Sequence, residues 1–194
     1  MASNNLVFLA MAALLVFWTV GAYNRLVRLK NTIAHAFCQM DVQLKRRHDL
    51  IPSLVDAIRK YLLLEQAALH AVVSARHQAR SASDAARNRP GKADALSAWV
   101  AAEQTLDSSL NRLFALADDC PGLGAEPTIA ELRQALDSAE SKVGFACQSY
   151  NEAVLDYNQA QSQFPALLIA RVFGFAPVAL LQARRSPAKR PADR

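Results

Sequence analysis

Residues 128–164 read TIAELRQALDSAESKVGFACQSYNEAVLDYNQAQSQF, and their spacing decides the fold. Ile129, Leu132, Leu136, Ala139, Val143, Ala146, Tyr150, Ala153, Tyr157, Ala160 and Phe164 succeed one another in unbroken steps of three and four. That is the period of one helix face, and about 36 residues make a rod of roughly 54 Å. A narrow apolar stripe interleaved with small Ala residues suits a helix packed closely among others. Thr128 with Glu131 has the form of a capping box opening this helix. Upstream, Leu96, Trp99, Glu103, Leu106, Leu110, Leu113 and Ala117 repeat the pattern, with Glu103 its one polar intrusion. Earlier still, Leu26, Leu29, Ile33, Phe37, Met40 and Leu44 form one set, and Ile51, Leu54, Ile58, Leu62, then Leu69, Val72 or Val73, and Ala79 another. The stretches 81–91 and 120–127, rich in Ser, Asp, Asn, Pro and Gly, read as loops. No segment alternates with the period of two that a strand requires.

Pro52 is the ambiguous position. Proline is tolerated in the first turn of a helix and disruptive in its interior. With Asp49 as N-cap, a helix hairpin near Arg47–Asp49 divides the chain into rods of about 40 Å, whereas an unbroken helix over residues 25–79 would reach roughly 80 Å. The expected fold is all-α: an N-terminal transmembrane helix followed by an antiparallel four-helix bundle. A kinked long helix is the competing reading.

Residues 6–22, LVFLAMAALLVFWTVGA, carry no charge, and the first charged side chain is Arg25. Seventeen residues span roughly 26 Å, the short end for a bilayer core. Leu6, Phe8, Leu14, Phe17 and Trp18 would face lipid, with Trp18 and Tyr23 near the interface. A cleaved signal peptide competes, its best site after Val20-Gly21-Ala22, but Met1–Asn5 holds no basic residue. Helical patterning also runs on past Ala22 into Leu26, which favours a retained anchor. Arg25, Arg28 and Lys30 come directly after the run, so the positive-inside rule puts the N-terminus outside and the domain in the cytoplasm.

The formal charge of +5 over 194 residues owes most to the tail, where Arg184, Arg185, Lys189, Arg190 and Arg194 oppose Asp193. A basic tail of this kind is attracted to anionic lipid. No basic stripe with aromatic interleaving appears, which argues against nucleic acid as a partner. Cys38, Cys120 and Cys147 are odd in number and far apart, so no disulfide framework is expected. The expected organisation is an anchor over residues 1–24, a helical body with a C-terminal apolar segment over 25–181, and a disordered basic tail over 182–194.

Nothing points to catalysis or to a cofactor. His70 and His77 share a helix face at a spacing of seven, whereas metal-binding helices use three or four, so no metal site is expected. No GxSxG, P-loop or GxGxxG is present. Lys45, Arg46, Arg47 and Asp49, with His48 among them, form a dense charged cluster. It reads either as a protein-docking surface at the membrane-distal end or as a solvated helix end. The apolar segment 166–181, with Leu168, Ile169, Phe173 and Phe175, reads as membrane-facing or as a cap on the core. The pairs Tyr150-Asn151 and Tyr157-Asn158 put both tyrosines on the core seam, so a polar layer inside the bundle is expected, with a ligand pocket as the bolder alternative. A third pair is Tyr23-Asn24.

The run Gln39-Met40-Asp41-Val42-Gln43-Leu44-Lys45-Arg46-Arg47, followed by Asp49-Leu50-Ile51-Pro52, resembles the signature of LemA-family proteins. Tyr23-Asn24, Tyr150-Asn151, Asp156-Tyr157-Asn158, Phe164-Pro165 and Phe173-Gly174-Phe175 are similar to the family's other blocks in order and spacing. The resemblance implies a bacterial single-pass inner-membrane protein with a cytoplasmic four-helix bundle and no established enzymatic activity. Magnetosome-associated relatives imply a role in organising membranes. Phe37 stands where the family usually has Trp, Ser53 where Asn is usual, Leu64 for His and Leu167 for Asn, and the 120–127 loop is short. These losses of polar residues weaken the case for a shared polar ligand site. The expected function is non-enzymatic binding of protein partners or membrane at the cytoplasmic face. A self-assembling scaffold and an exported helical domain are the alternatives.

Overall fold

The first helix, α1 (Ala2–Arg59), runs unbroken from the apolar stretch through Pro52. After it come α2 (Gln66–Asn88), α3 (Ala93–Asp118), α4 (Pro127–Ser162) and the short α5 (Ala166–Val172). These assignments come from a computed structural model that describes residues 2–61, 65–89, 91–120 and 126–181. Among the described residues there is no strand. The basic tail expected over 182–194, like Leu62 and most of the loop expected at 120–127, lies outside the described residues.

The hairpin expected near Arg47–Asp49 is absent; α1 ends at Arg59 instead. The physical reason lies one turn before the proline. Pro52 has no N–H to give the carbonyl of His48, and that orphaned carbonyl accepts a hydrogen bond from Arg76 Nε of α2 at 2.7 Å. A side chain from the neighbouring helix thus replaces the bond that proline removes, and the helix continues for seven more residues. The expected loop at 81–91 is likewise mostly helix, since α2 runs to Asn88. The capping box also fails: α4 starts two residues early, at Pro127, with Glu126 rather than Thr128 as N-cap and no side-chain cap bond. Proline is suited to that first helical position because its missing N–H has no helical partner there anyway.

Two apolar clusters run up the middle. One joins Ile51, Leu54 and Ile58 of α1 to Leu69 and Val72 of α2, Leu106 and Leu113 of α3 and Ile129 of α4. The other joins Ile33, Phe37 and Met40 to Ala86, to Leu96 and Trp99, and to Val143, Tyr150 and Tyr157. The end of α1 therefore meets the start of α2, and the end of α3 meets the start of α4. Along α3 the seven buried residues are the seven of the sequence stripe, Glu103 included.

The helices are unequal in length. From Arg25 onward α1 matches α4 at about 50 Å, while the 23 residues of α2 and 26 of α3 reach only about 35–39 Å. Near the exit of the apolar stretch, α1 and α4 outrun the α2–α3 hairpin. That space is filled by α5 and by an extended strap, residues 175–181. Gly174, at φ 70°, ends α5 and lets Phe175 N–H bond back to the Ala170 carbonyl at 2.9 Å, turning the chain up along α4. A small third cluster, Leu26, Ala160, Ile169 and Ala170, closes this end.

Candidate functional site

Polar or exposed groups concentrate in three places: a buried ion cluster, the ladder holding the strap, and the surface where α1 leaves the bundle.

Arg47 and His48 sit on the inner face of α1 and are almost fully buried, whereas Lys45, Arg46 and Asp49 point outward. The charged cluster singled out in the sequence is therefore two structures rather than one. It also lies partway along α1 instead of at its far end, because α1 continues ten residues beyond it to Arg59. Arg47 Nη1 donates to Glu103 Oε2 at 2.6 Å, and Nη2 donates to Asp107 Oδ1, both on α3. Glu140 Oε2 of α4 lies 2.8 Å from Arg47 Nε as an ion-pair contact. The other Glu103 oxygen is 2.9 Å from His48 Nε2 and accepts from Trp99 Nε1 at 3.3 Å. An ionised carboxylate only accepts, so His48 donates from Nε2. These contacts explain the polar intrusion in the α3 stripe. Glu103 is fully buried, and a buried carboxylate is sustained only where cations and donors surround it. Nearby, Asp41 holds Lys45 and Arg87, each at 3.0 Å, and joins α1 to α2.

The ladder is built from the two Tyr-Asn pairs. Asn158 Nδ2 donates to the Val178 carbonyl at 2.8 Å, and its Oδ1 accepts from the Val178 N–H at 3.0 Å. Seven residues earlier, Asn151 does the same to Leu181, at 3.1 and 2.8 Å. Tyr157 and Tyr150 hydroxyls donate to the carbonyls of Ala176 and Ala179, at 3.1 and 3.3 Å. Seven helical residues advance about 10.5 Å and three extended residues about 9–10 Å, so a heptad on α4 keeps register with a triplet on the strap. The expected polar layer thus exists, and the tyrosine partners are backbone carbonyls of the chain's own C-terminal segment. Burial pushes the Tyr150 hydroxyl up to about 12 and raises that of Tyr157. The strap also crosses the α2–α3 turn, where Ala179 N–H reaches the Gly91 carbonyl at 3.4 Å. Gly91 has φ 80°, and a Cβ there would stand 2.9 Å from Val178 Cγ1, so both conformation and space call for glycine.

At the exit end, Ile169 is buried on the core and Phe175 is half-buried, while Leu168 and Phe173 are exposed together with Phe164 and Val172. Of the two roles expected of this segment, Ile169 takes the core-capping one. Tyr23, of the third Tyr-Asn pair, packs against Phe173 and Phe175, with ring centroids 4.9 and 5.6 Å apart. Above this point Leu6, Phe8, Leu14 and Phe17 are each at least 70% exposed, and Trp18 is 39% exposed. His70 and His77 are exposed on α2, and no group of metal-ligating side chains occurs among the described residues.

These features define an all-helical protein with one N-terminal helix long and apolar enough to cross a membrane, a test that a signal sequence also passes. Residues 36–192 match the LemA family, and the chain belongs to it. No curated protein matches the chain.

Proposed function

We propose that this LemA-family protein is a non-enzymatic, membrane-anchored antiparallel four-helix bundle that binds protein partners or organises membrane at the cytoplasmic face of the inner membrane. The observation that carries this reading is the continuity of α1. One helix is bare and apolar over residues 6–22 and forms core over about its last nine turns, with no break in the helix between them. Such a rod transmits position and orientation from the bilayer to the domain. Apolar side chains along the first part stay exposed in the folded chain, and lipid is the solvent that suits them. Arg25, Arg28 and Lys30 at the exit favour the cytoplasmic side. Docking of a protein partner is assigned to the outward half of the charged cluster, Lys45, Arg46 and Asp49; Arg47 is engaged inside the bundle.

Cys38 tests the orientation, since it is exposed on α1 three to four turns past Arg25. In intact spheroplasts a membrane-impermeant maleimide should leave it unmodified, and lysis should expose it. Labelling before lysis would overturn the cytoplasmic assignment. Lys45→Glu/Arg46→Glu should abolish crosslinks to native membrane partners while leaving the helical melt unchanged. Crosslinks that persist would remove these residues from the docking surface.

A further inference from the structure

Where α1 leaves its apolar stretch, α4 ends beside it, and the two border adjoining half-open cavities that share Arg25, Ala160 and Gln163. The first, about 310 Å³, has Trp18, Gly21 and Ala22 on one wall and Phe164 and Pro165 on the other. The second, about 320 Å³, adds Asp156 and Gln159 from the polar face of α4. Apolar lining thus gives way to polar lining in the direction that leads out of the membrane, with Arg25 at the boundary.

The charges in this cleft are left over from folding. Arg25 and Asp156 line the same cavity, yet neither has an ion pair or hydrogen bond among the described residues, whereas the buried charges Asp41, Arg47 and Glu103 are all paired. A cation and an anion held apart at a membrane exit complement a ligand that carries both signs.

We propose that this cleft binds a phospholipid with a zwitterionic, primary-ammonium headgroup, phosphatidylethanolamine in chemical class. The phosphate meets the Arg25 guanidinium, which favours such oxyanions. The ammonium meets the Asp156 carboxylate, with the Gln159 and Gln163 side-chain oxygens as further acceptors. The glycerol and first acyl carbons lie in the cavity between Trp18 and Phe164, where an indole ring suits the interface. A phosphatidylglycerol headgroup leaves Asp156 facing a second anionic ligand without a cation. A phosphatidylcholine headgroup brings a cation that has no N–H to donate. The proposal rests on the membrane-anchor reading but not on which side of the bilayer the domain faces.

The test uses the full chain, purified in a neutral detergent and titrated with dioctanoyl phosphatidylethanolamine, phosphatidylglycerol or phosphatidylcholine, with bound lipid read by native mass spectrometry. Phosphatidylethanolamine should bind about tenfold more tightly than either alternative, the worth of one charge-assisted hydrogen bond. Asp156→Asn should erase that preference, and Arg25→Gln should weaken all three lipids. Both residues are exposed, so an unchanged helical melt will accompany each change. Equal binding of the three lipids, preference for phosphatidylglycerol, or a preference that survives Asp156→Asn would overturn the site. Carbonate washing of native membranes separates the two levels: a chain that stays in the pellet but shows no lipid preference refutes the site alone, and a chain released into the wash refutes the anchor with it.

Discussion

Removing the Arg47 guanidinium should destabilise the protein more than removing Arg47 and Glu103 together. Arg47→Met keeps the volume and apolar stem but leaves Glu103, which has no exposed surface, beside Asp107 and Glu140 with no guanidinium among them. Breaking a buried ion pair from one side costs about 3–5 kcal/mol, because the remaining charge can be neither hydrated nor paired. Against a total stability of about 5–15 kcal/mol, that is a large fraction. In Arg47→Met/Glu103→Leu the buried carboxylate is gone as well. Asp107 and Glu140, 19% and 25% exposed, can then turn to water. What the double variant still lacks is an acceptor for His48 and Trp99, worth about 1–3 kcal/mol. The coupling between the two changes should therefore be at least about 2 kcal/mol in favour of the double variant. Urea titration of the full chain in detergent, followed by helical circular dichroism, measures all four corners of the cycle. Additive losses, or a double variant less stable than Arg47→Met, would show that the cluster is not a closed network and refute the reasoning.

The same geometry fixes three further outcomes. Arg76→Met should cost about 1–3 kcal/mol by orphaning the His48 carbonyl, and much less in a Pro52→Ala background where an N–H is restored; equal costs in both backgrounds by urea titration would exclude the compensating role of Arg76. Asn158→Ala and Asn151→Ala should each raise amide hydrogen exchange in residues 175–181 without changing exchange in α3, and unaltered protection would mean the strap is held by packing alone. Because burial raises the Tyr150 hydroxyl to about 12, the folded protein holds a proton that the unfolded chain loses near 10, so stability should fall as pH rises between about 10 and 12. Ultraviolet absorbance of phenolate checks this: a single tyrosine transition near 10 with no accompanying loss of structure would contradict it.

Much of this architecture was legible in the residues. The α3 and α4 stripes predicted nearly every buried position on those helices, because a 3.6-residue period with apolar side chains on one face admits a single way to face a core. The apolar stretch before Arg25 was equally plain, since seventeen uncharged residues need no tertiary context to be read. Glu103 stood out only as an exception. Its meaning required Arg47, 56 positions away in sequence, and no local rule connects the two. The hairpin between α1 and α2 was misplaced for a related reason. Pro52 carries the local signal for a break, while residues 60–65 carry no Gly, Pro or Asn at all. Arg76 overrides that local signal from another helix. Val154 and Leu181 entered the core unannounced, the second because its place depends on the strap.

What the sequence by itself determined is the set of elements: apolar periodicity and the long uncharged run encode helices and a greasy N-terminal stem through interactions between near neighbours. The tertiary structure alone decided which charges lie inside, where the chain reverses after α1, and that the Tyr-Asn heptad grips an extended strap. Each of these depends on groups far apart along the chain whose hydrogen bonds and charges have meaning only once water is excluded between them.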